Sequence, residues 1–143
     1  MSNFFVIDTN VVVAGLFTAH DDSPVARILD GMLGAEFAFV VSELLLAEYR
    51  AVLLRPRLCK LHGLSVAEVD VILTSFARHA IVIKPLCTTA VPLAPDPGDR
   101  FLWNLLATRA DLLLVTGDKL LQFDPVMQQR VISPQDFVAR LQH

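Results

Sequence analysis

A chain of 143 residues with 54% hydrophobic content and a mean hydropathy of +0.53 can bury a sizeable core, so one domain over residues 1–143 is expected and no second is needed. Its apolar stretches, such as Val11 to Phe17 and Leu112 to Val115, are too short to span a bilayer, and the start MSNFFVID carries no basic leader, which points to a soluble cytoplasmic protein. Cys59 and Cys87 lack CxxC or His-rich spacing, so neither a disulfide framework nor a zinc site is suggested, and the net charge of −3 argues at first sight against a polyanionic substrate.

Along the chain, short apolar runs alternate with helical patterns, the mark of βαβ units and an α/β class. Phe4 to Ile7 reads as a buried strand, followed by Asp8-Thr9-Asn10 and a short helix to Phe17. Ser23 caps a helix from Pro24 to Leu33, with proline at its first position. Phe37 to Val41 is a second strand, and Ser42 caps a helix to about Leu54 that the Arg55-Pro56-Arg57 turn ends. Ser65 opens a helix to about His79, with Val66, Val69, Leu73 and Phe76 near helical spacing, and Ala80 to Ile83 is a third strand. Pro85, Pro92, Pro95 and Pro97 make Lys84 to Gly98 a long, stiff connection. A helix from Asp99 to about Arg109, a strand from Leu112 to Val115, a short helix after Thr116-Gly117-Asp118, a strand from Arg130 to Ile132 and a helix opened by Ser133-Pro134 complete the series.

Asp8, Glu48, Asp99 and Asp118 each fall where an apolar run gives way to a helix. If those runs are parallel strands, the transitions open onto one sheet edge, where ligands of open α/β folds bind. Taken singly, each acid has a structural reading: Asp8 and Asn10 are good helix caps, Asp118 suits a turn, and Glu48 could simply face water. Capping gives no reason for all four transitions to carry an acid. Close carboxylates either hold protons or recruit a hard divalent cation. Setting these four of the 15 acids aside leaves 11 against 12 basic residues, so the remaining surface is balanced and the objection to a polyanion weakens.

The ordered segments VIDTNVVV, VVSELLLAEYRAVLLRPRL and DPGDRFLWNLLATRADLLLVTGDKLL together resemble the PIN-domain nucleases, in particular their small bacterial toxin-like (VapC-type) branch, over nearly the whole chain. The resemblance implies a three-layer α/β/α sandwich with a mainly parallel five-stranded sheet, an acidic pocket for Mg²⁺ or Mn²⁺, and cleavage of RNA. Carried over position by position, Asp8 and Asp99 resemble direct metal ligands, Glu48 a ligand or a base acting through water, and Asp118 the fourth acid. Asn10 and Thr116 resemble supporting polar residues. Gly98 stands where many members carry a further acid, which leaves the number of metals open. The resemblance also implies a cognate antitoxin and a homodimer, and the apolar excess agrees with a subunit or partner interface.

The chemistry expected of such a site is in-line attack of metal-activated water on a phosphodiester, with Glu48 or Asp118 assisting proton removal. Arg100, Lys119, Arg55 and Arg57, with Lys60, are candidates for phosphate contacts, and Tyr49 and Trp103 read as core before they read as base-stacking groups. A receiver-like phosphoacceptor needs paired acids at the first strand, and a haloacid-type phosphohydrolase needs an acid where Asn10 stands. A PIN-like interaction protein that has lost its activity is the remaining alternative, and the intact set of four acids weighs against it.

Overall fold

The computed structural model describes residues 4–85, 94 and 97–141. Strand β1 (Phe4–Ile7) pairs in parallel with β4 (Leu112–Val115), in a register that sets Phe4 opposite Leu112 and Ile7 opposite Val115. On the far side of β4 lies β5 (Val131–Ile132), also parallel. Strands β2 (Val40–Val41) and β3 (Ile81–Val82) form a second parallel pair, joined to β1 by a parallel bridge between Phe5 and Phe39. The resulting order is β3-β2-β1-β4-β5 with every pairing parallel. Neighbouring residues of a strand face opposite sides. Because Val6 and Ile7, Val40 and Val41, and Leu114 and Val115 are all fully buried, both faces of the sheet are covered, giving the expected α/β/α layering.

Local chemistry accounts for most helix starts. Asp8 caps α1 (Thr9–Phe17), and Ser23 caps α2 (Pro24–Leu33) by accepting from Ala26 N at 3.3 Å. Ser42 caps α3 (Glu43–Leu53), while Ser65 and Glu68 form a reciprocal capping box at the head of α5 (Val66–His79). Helices α6 (Arg100–Thr108), α7 (Lys119–Gln122) and α8 (Pro134–Leu141) follow the expected order. Helices α1 and α2 meet closely at Gly15, where an added Cβ would lie 2.8 Å from the Val25 carbonyl oxygen. On α5, Val69, Leu73 and Phe76 enter the core, and Val66 stays exposed. Tyr49 and Trp103 are fully buried, as core residues rather than stacking platforms.

Three local expectations change. The Arg55-Pro56-Arg57 segment ends α3 but then opens α4 (Pro56–His62), because proline is as suited to the first position of a helix as to a turn. Gly63, at φ +67°, ends α4 in the left-handed region that glycine enters without a Cβ clash. Strand β2 is confined to Val40–Val41, since Phe39 contributes only a single bridge, and β3 is shortened from Ala80–Ile83 to Ile81–Val82, both exposed at the sheet edge. Most of the expected Pro-rich connection, with Cys87 and Asp96, lies outside the described residues. Among the described residues, no helix is long and apolar enough to cross a membrane.

Candidate functional site

Parallel strands place their C-terminal ends at one edge, and that edge carries the acids. Asp8 follows β1 directly, with its backbone N–H donating to the Val115 carbonyl at 2.9 Å, so the end of β1 is locked to the end of β4. Glu48 lies a little more than one turn into α3, Asp99 immediately precedes α6, and Asp118 caps α7. All four acids line one cavity of about 400 Å³, together with Thr9, Asn10 and Arg55. Sequence positions 110 residues apart thus meet in one pocket. Another hollow, of about 430 Å³, carries Asp21, Asp30 and Glu36 beside Arg27, but none of its walls follows a strand.

The Asp8 carboxylate is nearly buried, and the hydrogen bonds that reach it come from neutral donors. Its Oδ1 accepts from Thr9 N at 2.7 Å, and its Oδ2 accepts from the Thr116 hydroxyl at 2.8 Å and from Asn10 Nδ2 at 3.2 Å. Burial holds its pKa above the ordinary carboxylate value; the Thr116 and Thr9 bonds oppose this, and the charges of Asp118 and Glu48 add to it. Thr116 is the hub of the arrangement. Besides donating to Asp8, its Oγ1 accepts from Asn10 Nδ2 and from Asp118 N, each at 3.1 Å. Asn10 Oδ1 accepts from Gly117 N at 3.0 Å, closing a clamp between the first turn of α1 and the loop after β4. Asn10 and Thr116, the two residues expected to support the acids, therefore both touch the Asp8 carboxylate.

Sequence reasoning missed two contributors. The Tyr49 hydroxyl, next in the chain to Glu48, donates to the Ile7 carbonyl, and so fastens α3 to the last residue before Asp8. Burial, with the Asp8 charge beside it, pushes the phenol pKa well above its usual value, so the group remains a donor. Replacing Tyr49 with Phe would orphan the buried carbonyl; a loss of about 1–3 kcal/mol is expected in urea denaturation, against little change if the bond contributes nothing. Gln122 is the other, donating from Nε2 to the Thr116 carbonyl at 2.7 Å. The adjacency of Tyr49 to Glu48 was visible in the sequence, but its target was not.

Of the expected cations, Arg55 lines the acid cavity and Lys119 lines an adjoining groove, while Arg57 and Arg100 line neither. A family model described as PIN domain matches residues 5–120, from the second residue of β1 to the second residue of α7. The chain belongs to the PIN domain family. No curated protein matches it. The PIN domain is a nuclease-type fold, and the matched span of this PIN domain contains all four acids, Asn10 and Thr116.

The residues present suit a hard divalent cation. The acids offer oxygen donors only, and the Thr9 hydroxyl in the cavity wall is buried with no hydrogen-bond partner among the described residues. Among those residues, no three His, Cys, Asp or Glu side chains close into a metal cage, so the acids surround the cavity rather than meet at a point. An open set of this kind suits Mg²⁺, which retains several of its waters and needs only one or two carboxylates.

Proposed function

We propose that this PIN domain, a single unit over residues 1–143, is a Mg²⁺- or Mn²⁺-dependent endoribonuclease and the toxin of a toxin–antitoxin pair, hydrolysing RNA phosphodiesters without a covalent intermediate. The observation that carries the reading is the convergence of Asp8, Glu48, Asp99 and Asp118 on one cavity at the strand ends, with the nearly buried Asp8 met by neutral donors. Carboxylates gathered in one cavity attract a cation, and a bound cation reverses the field that an approaching phosphate meets.

Asp8 and Asp99 are the assigned metal holders, with Glu48 and Asp118 completing the set. The Thr116 hydroxyl and the Asn10 amide fix the Asp8 carboxylate in one orientation, leaving its reach into the cavity predetermined. Asp118 is held by its own backbone bond to Thr116 and by Leu120 N, which donates to its Oδ1 at 2.9 Å. Glu48, on a helix pinned by Tyr49, is placed to take a proton, and Arg55 stands on the cavity wall to meet a phosphate oxygen. When bound, the cation supplies a water of lowered pKa and offsets negative charge growing on the phosphate. A cytoplasmic location, a homodimer and a cognate antitoxin accompany this reading.

The test is cleavage of a mixed single-stranded RNA pool by the purified protein with Mn²⁺ or Mg²⁺, beside an EDTA control and the Asp8→Asn, Asp99→Asn double variant. Metal-dependent products that the double variant fails to make are expected. Absence of both cleavage and calorimetric metal binding in the wild type would remove the nuclease reading in favour of an inactive interaction protein.

A further inference from the structure

The acid cavity does not end at Asp118. A hollow of about 310 Å³ shares Asn10, Ala14 and Asp118 with it, and shares Val25, Gly117 and Pro134 with a groove of about 840 Å³ running between the start of α2, α7 and the β5–α8 junction. Ligand sites generally occupy about 300–1,000 Å³. The groove walls combine an exposed cation, Lys119, with an exposed aromatic ring, Phe123, which is 67% accessible. Ser133 and Gln135 add hydrogen-bonding groups, and Asp136 adds a carboxylate at the start of α8. Arg55 stands in the wall of the acid cavity itself. Acids at the centre, with Arg55 beside them and Lys119 in the continuing groove, suit a polyanionic strand whose middle phosphate is met by a metal.

We propose that the groove is the subsite for the nucleotide adjoining the scissile phosphate, with Phe123 stacking on its base and Lys119 contacting its phosphate, so that the substrate must be single-stranded. The proposal rests on the nuclease reading and deepens it. In a duplex the base face is already covered by its neighbours, whereas an unpaired base gains a stacking partner in Phe123. Stacking tolerates any base, so Phe123 supplies affinity for an unpaired strand rather than for a sequence.

The experiment is fluorescence anisotropy of a short labelled single-stranded RNA, and of a duplex of the same sequence, with Mn²⁺ in a cleavage-silent Glu48→Gln background that keeps Asp8 and Asp99. Phe123→Ala is expected to weaken single-strand binding about tenfold, with Phe123→Trp retaining it and the duplex indifferent to either change. Lys119→Gln is expected to reduce the slope of log affinity against log salt by about 0.7, the share of one phosphate contact on a single strand. Val71→Ser, which removes an equally exposed apolar side chain on α5, should leave binding unchanged. Unaltered single-strand affinity in Phe123→Ala, with wild-type protein that cleaves RNA, would overturn the subsite and leave the nuclease reading standing. A change in sedimentation without a change in RNA affinity would also overturn it, by making the exposed Leu120, Phe123 and Val126 a protein interface. Wild-type protein that neither binds the single strand nor hydrolyses bis(p-nitrophenyl) phosphate with Mn²⁺ would remove the nuclease reading, and the subsite with it.

Discussion

Replacing Asp8 with Asn is expected to lower metal-dependent RNA cleavage about a thousandfold, the scale on which a buried group facing developing charge acts, while flattening the pH dependence of metal-free heat stability. Asp8 is the most enclosed of the four acids, and its orientation is fixed by three donors. Asparagine preserves the shape but loses the charge that holds a cation. The stability effect follows from burial, which raises the Asp8 pKa in the folded chain above its ordinary 3.8. Above that ordinary value, the folded state therefore keeps a proton that the unfolded state has released, and stability falls as pH rises through the window up to the raised value. The carboxylate then remains a liability at neutral pH until a cation offsets it. Thermal melts of wild type and Asp8→Asn in EDTA should show a difference that moves against the wild type as pH rises above about 4. Mn²⁺ at neutral pH should return stability to the wild type alone, by favouring the state that binds it. A melting difference independent of pH would mean that Asp8 is not under strain from burial.

Replacing Thr116 with Val should cost about 1–3 kcal/mol of stability and reduce metal affinity or cleavage about 10- to 100-fold, the usual penalty for removing a group that orients a metal ligand. Valine matches threonine in shape, so the change isolates the hydroxyl. That hydroxyl donates to Asp8 and accepts from Asn10 and from the Asp118 backbone, so its loss removes three bonds of the network at once. Thr116→Ser keeps the hydroxyl and should retain most activity. Calorimetric metal titration beside kcat/KM separates the two contributions: weaker metal binding with a proportionate rate loss marks an orienting role. Wild-type affinity and rate in Thr116→Val would leave Thr116 as packing alone.

The sequence by itself determined most of the elements, α4 excepted, and the family resemblance. Apolar runs at Phe4–Ile7 and Leu112–Val115 read as strands, and Ser23, Ser42 and Ser65 marked helix starts because a hydroxyl before a helical pattern satisfies an otherwise orphaned N–H. These signals are local, carried by residues a few positions apart. The spaced acids could be nominated for the same reason, each by its place after an apolar run. Tertiary structure alone decided that β1 lies between β2 and β4, which brings the residue after Ile7 beside the residue after Val115 and closes the Asp8–Asn10–Thr116 contacts. It also decided that Tyr49 reaches Ile7, that Arg55 rather than Arg57 or Arg100 enters the cavity, and that the groove of Lys119 and Phe123 continues from it. Periodicity states which face of an element is apolar, but not which neighbour covers it. Strand order, set by the packing of the whole core, determines which distant side chains share a pocket.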